Sequence, residues 1–125
     1  MFTPKEAFSG FSVDDIDAAR AFYGETLGLT VADDEMGMLT LTLPSGAHVL
    51  VYPKPNHEPA TFTILNFVVD DVESAVDDLN ARGVVTKIYD DAVLETDAKG
   101  IQRGWGSEIA WFLDPARNVL SVLTG

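Results

Sequence analysis

Residues 11–19 read FSVDDIDAA and residues 67–75 read FVVDDVESA. Laid over one another at an offset of 56, they match at Phe, Val, both Asp residues and the closing Ala, and Asp17 faces Glu73. Repetition of this kind marks a duplicated supersecondary unit. A second echo follows at an offset of 70, where HVLVY at 48–52 lies over NVLSV at 118–122 and shares Val49/Val119 and Leu50/Leu120. The change of offset is read as a longer insertion in the second half.

Each Val-Asp-Asp step ends an apolar run and opens an amphipathic one. Val72, Ala75, Val76 and Leu79 fall at i, i+3, i+4 and i+7, which predicts a helix over 71–82 stopped by Gly83. Ile16, Ala19, Phe22, Tyr23 and Leu27 line one side of the counterpart, with Asp14 or Asp15 as N-cap, Ser12 in the same capping network and Gly28 as terminator. Three strand-like runs follow each helix, at 30–33, 38–43 and 47–52, then at 84–89, 108–113 and 118–123. Pro44-Ser45-Gly46 and Asp114-Pro115-Ala116-Arg117 supply turns between the last two runs of each half. The expected fold is α+β: two βαβββ modules with sheets curled around a cleft, module one over about 5–53 and module two over about 62–124. The proline-rich stretch 53–61 is the linker within a single domain of 125 residues.

The duplicated unit, the stretch AFYGETLG at 21–28 and FLDPARNVL at 112–120 together resemble the vicinal oxygen chelate superfamily, the group of glyoxalase, bleomycin resistance proteins and extradiol dioxygenases. The resemblance runs from about Ala7 to Leu123. It implies a homodimer and, in metal-dependent members, an ion held by His or Glu from the first and last strand of each module, a donor set suited to polarising adjacent oxygens. The family's turn is usually Asp-Pro-Asp-Gly-Asn, so keeping it here would place Arg117 at positive φ, at a cost of about 1 kcal/mol.

Carried onto this chain, the four ligand positions fall at Phe8, Val51 (Leu50 if the register slips by one), Ile64 and Ser121. Three are hydrocarbon and the fourth is a neutral hydroxyl, so the expectation is a cleft without the family metal and without a cofactor. His48 and His57, the only imidazoles, are separated by Pro53 and Pro55 and make a poor metal pair; both are read as surface or turn residues. Asn66 shares the strand parity of Ile64 and would face the cleft, bonding either a ligand or neighbouring backbone. Tyr52, Phe62, Trp105, Trp111 and Tyr89 supply flat apolar surface for either a core or a ligand-lined cleft. The loop 90–107 reads as a lid, a dimer contact or plain surface, with Glu95, Arg103 and Trp105 as its contact residues if it is a lid.

With no cysteine, thiol chemistry and disulfides are excluded. Twenty acidic against eight basic residues give a net charge of -12, which disfavours nucleic acid and anionic membrane and favours a cationic ligand, while also serving as a solvated face. MFTPKEAFSG lacks the features of a secretion signal and no apolar run reaches the ~20 residues that span a bilayer, so a cytoplasmic protein is expected. The expected function is binding of a small organic molecule; the alternative is an enzyme of glyoxalase, dioxygenase or isomerase type, metal-dependent or metal-free.

Overall fold

The computed structural model describes residues 1–89, 95–104 and 106–125. It divides into two compact units, Met1–Glu58 and Pro59–Gly125, with the boundary inside the proline-rich linker.

In the first unit β1 (Ser9–Val13) leads to α1 (Ile16–Arg20), whose N-terminus is capped by Asp15 accepting from the amides of Asp17 and Ala18. Ser12 Oγ lies 2.6 Å from His57 Nδ1 in a hydrogen bond that ties the linker back to β1. The helix widens into a π turn over Ala21–Thr26, closed by the bond from Leu27 N to Phe22 O, and Gly28 at φ 76 releases the chain. Then come β2 (Thr30–Asp33), β3 (Leu39–Thr42) and β4 (His48–Pro53), and the sheet order is β1-β4-β3-β2 with β1 parallel to β4.

The helical face of this sheet is fixed by Phe11, whose ring lies 5.7 Å from that of Tyr23. Phe11 pairs with Val51, and Val51 with Leu39. Val13, Leu39, Leu41, Val49, Val51 and Tyr23 are accordingly buried, each such large apolar side chain contributing about 1.5–3 kcal/mol. Alternation puts Gly10, Thr40, His48, Leu50 and Tyr52 on the opposite, open face.

The second unit repeats the plan: β5 (Thr63–Val68), α2 (Val72–Ala81), β6 (Ile101–Gln102), β7 (Ile109–Leu113) and β8 (Val119–Leu123), in sheet order β5-β8-β7-β6. Asp71 caps α2 and Gly83, at φ 87, follows it. Val72, Val76 and Leu79 are buried on α2, which packs on β7 and β8. Residues 84–89 do not form the expected strand. Their place at the sheet edge is taken by β6, and side chains tie them instead to the segment after the undescribed residues: Thr86 Oγ1 donates to Lys99 O, and Lys87 Nζ to Thr96 O.

The two turns superpose at a different offset from the one the sequence suggests. Leu43 N bonds Ala47 O and Gly46 N bonds Leu43 O, just as Asp114 N bonds Asn118 O and Arg117 N bonds Asp114 O. Gly46 stands at φ 92 and Arg117 at φ 69, so the family's turn forms with the expected strained arginine. The shared step is 71, not 70. Phe11–Val51 therefore corresponds to Phe67–Val122, and Gly10–Leu50 to Asn66–Ser121.

Candidate functional site

The register corrects one sequence-derived position. Val51 is 0% exposed because it is the cross-strand neighbour of Phe11 on the helical face; Leu50 holds the open-face position equivalent to Ser121. The echo HVLVY/NVLSV aligned like letters but hid a one-residue slip, which turns every side chain to the other face. The remaining first-unit candidates lie at the open face. A pocket of about 420 Å³ is lined by residues that include Phe8, Thr40, His48 and Leu50. Phe8 precedes β1 and is 63% exposed, while Tyr52 is half-buried beside Ser12.

In the second unit Asn66, Ser121 and Trp111 sit side by side on β5, β8 and β7. Ser121 is 0% exposed and its Oγ donates to Asn66 Oδ1 at 2.6 Å, which answers why a hydroxyl stands in an apolar strand. Trp111 is buried, with the Tyr89 ring edge-on at 5.4 Å. The next rung on the same face is Val68, Leu123 and Ile109, with Val68 70% exposed. Ile64 lies in the irregularity between Thr63 and Leu65, a bulge that interrupts simple parity, and Phe62 is exposed just ahead of β5. Trp105 lies outside the described residues, as does most of the first part of the loop 90–107.

Arg103, expected as a lid contact, is engaged with Asp97 and Glu108. Burial pushes the Asp97 carboxyl up, but the Ile101 amide, the Arg103 guanidinium and the Lys99 amide together hold it below its ordinary value. Glu108 is thus committed to an ion pair, whereas His48 is exposed at the rim of the first-unit pocket. The Ser12–His57 bond was not foreseen; only the proline turn that brings residue 57 back, with His57 N on Lys54 O, could have signalled it.

The rungs Gly10–Leu50 and Asn66–Ser121 offer a divalent ion poor donors: glycine, leucine, a carboxamide and a hydroxyl already spent on that carboxamide. Among the described residues, no three His, Asp or Glu side chains gather as a metal site requires. No described helix is long and apolar enough to cross a membrane.

No curated protein sequence matches the chain. Among solved structures it is similar to TnmS3, an antibiotic binding protein from Streptomyces sp. CB03234, at 26% identity over 98% of each chain with a TM-score of 0.69. A glyoxalase/bleomycin resistance protein from the same organism is 26% identical over 93% of this chain and 98% of that one, with a TM-score of 0.62. The fosfomycin resistance protein FosX from Listeria monocytogenes, at 12% identity and a TM-score of 0.73 over 99% of this chain and 95% of that one, shares the fold. The family model for the glyoxalase/bleomycin resistance protein/dioxygenase superfamily matches residues 8–122, so the βαβββ repeat read from the two Val-Asp-Asp steps has its place: the chain belongs to that superfamily.

Proposed function

We propose that this protein binds a small organic molecule at its open sheet faces and does so without the metal used by other members of the superfamily. The observation that carries this reading is the Asn66–Ser121 pair on the open face of the second unit, a polar anchor set among apolar side chains, with Leu50 at the equivalent position of the first. Binding sites for small molecules are commonly built that way. The likeness to an antibiotic binding protein supports the same reading. Phe8, Leu50 and Tyr52 in the first unit, and Phe62, Ile64, Asn66 and Trp111 in the second, are the contact residues, with buried Ser121 behind Asn66; Val51 is released from that role. The protein acts as a homodimer, which sedimentation at micromolar concentration checks: a mass of one chain removes the dimer from the proposal.

The test is a thermal-shift screen of small organic molecules, run with and without added zinc and manganese, beside elemental analysis of protein purified without chelator. Ligands that raise the midpoint equally in both arms, with far less than one ion per chain, are the expected result. About one tightly held divalent ion per chain overturns it.

A second reading, metal-free catalysis, is favoured by one observation: His48, an imidazole, is exposed at the rim of the first-unit pocket. It requires turnover of a ligand from the screen to fall at least ~100-fold in His48→Ala. Unchanged turnover removes His48 from any mechanism.

A further inference from the structure

Ser121 has one proton to give, and it gives it to Asn66 Oδ1. In that bond the carboxamide stands with its oxygen toward Ser121. The oxygen is turned into the sheet, toward a hydroxyl that is 0% exposed, and Nδ2 is left at the exposed side with no protein partner among the described residues. The pair is therefore a donor of defined orientation, held on two strands rather than on a loop.

What surrounds it restricts the acceptor. One rung along, Val68, Leu123 and Ile109 present apolar surface, and Trp111 closes the far side of Ser121. The protein's net charge of -12 works against an anionic oxygen at long range. We propose that Asn66, oriented by Ser121, is the specificity-determining contact of the second unit's open face, and that it donates to an uncharged carbonyl oxygen carried on an apolar, ring-bearing skeleton. This rests on the binding function proposed above and names the ligand chemistry that function serves. Ser121 is a positioning residue: it touches the carboxamide, not the ligand.

The experiment uses the full chain, labelled with ¹⁵N, and a panel of mono- and bicyclic aryl ketones, each matched with the hydrocarbon lacking the oxygen. The Asn66 side-chain amide signal, assigned by its loss in Asn66→Asp, and the Trp111 indole signal are followed in titration. The expected result is that ketones move both signals and bind about 3- to 10-fold more tightly than their hydrocarbons, the range one neutral hydrogen bond supplies. Asn66→Leu, similar in size and without donors, removes that preference while the Trp111 shift remains. Ser121→Ala weakens the preference and narrows the difference between the two amide proton shifts, because the carboxamide is then free to turn; unaltered preference in that variant overturns the positioning role. Ketone and hydrocarbon binding alike, with Trp111 shifting and Asn66 still, overturns the carbonyl proposal and leaves the binding function standing. If no member of the panel moves either signal, the open face is not a binding surface and both fall. Because the titration is read on the wild-type chain and Asn66→Asp, at an exposed position, serves only to assign the signal, poor folding of Asn66→Leu or Ser121→Ala does not hide the answer.

Discussion

Arg117 pays in backbone strain for a position where its counterpart in the first unit is a glycine. Its side chain is exposed, and the turn is held by its own amide on Asp114 O and by Asn118, which donates to both carboxylate oxygens of buried Asp114. Arg117→Gly should therefore raise stability by about 1 kcal/mol, a few degrees in the thermal midpoint, without altering ligand binding. Calorimetry checks it; an unchanged or lower midpoint would show that the unfolded chain's gain in freedom outweighs the relief. This residue was fully legible beforehand, since the comparison of a five-residue turn with the family's usual one is local. Ser121 was half legible. That a neutral hydroxyl falls at one of the four ligand positions was plain, but its partner, 55 positions away, became definite only when β5 and β8 were seen in register. The Ser12–His57 bond was illegible because it depends on the path of the linker, about which propensities say nothing.

Among the elements, the strands that alternate and the helices with capped ends were read correctly, while register and the 84–89 segment were not. The Val51/Leu50 error came from matching letters, HVLVY on NVLSV, where the turns themselves step by 71. At 84–89 the apolar pattern invited a strand, but the segment's polar side chains are used to hold residues 96–99. That junction supplies a prediction at Gly100, for which Gly28 in the first unit is the control. A Cβ at Gly100, where φ is +88, would stand 2.0 Å from Thr86 O, so Gly100→Ala should cost about 3 kcal/mol or more in denaturant unfolding. Gly28→Ala, with φ +76 but open space around it, should cost only about 1 kcal/mol. Asp97 supplies a pH dependence. Its folded-state value is held below the ordinary 3.8, so its stabilising contacts are complete above that value and are lost as pH falls through the depressed one. The protection of the Ile101 amide against hydrogen exchange, relative to its intrinsic rate at each pH, should fall in that acid range, since the amide is bonded to Asp97 Oδ1, and Asp97→Asn should flatten the response. Protection that holds through that range would detach Asp97 from the order of this segment.

For the molecule as a whole, charge is the dominant long-range quantity. With 20 acidic and 8 basic residues, self-repulsion opposes the compact state, and several of the basic side chains are already occupied: Arg20 with Asp33 and Asp17, Lys99 with Asp77 and Glu73. Raising salt from about 20 mM to about 300 mM shortens the screening length about fourfold, so the thermal midpoint should rise by a few degrees, and the affinity of a cationic ligand should fall. A cationic ligand whose affinity stays flat across that range would show that it is held by contacts rather than by the field. Composition made this legible from the start; which carboxylates are paired did not follow from counting them.

The sheet order has a bearing on how the chain is made. In each unit the first strand pairs with the last, Ser9 with Val49 and Thr63 with Val119, while the hairpin strands pair locally. A nascent chain that has emerged as far as Leu113 holds β5 with no neighbour to receive it, because the strand that joins β5 to β7 has not yet been synthesised. Long-range pairing of this kind is slow and leaves strand edges waiting. Residues 114–123, Ser121 among them, are thus the step that completes the second sheet, and a ribosome that stops before Asn118 releases a half-sheet with its apolar edge uncovered.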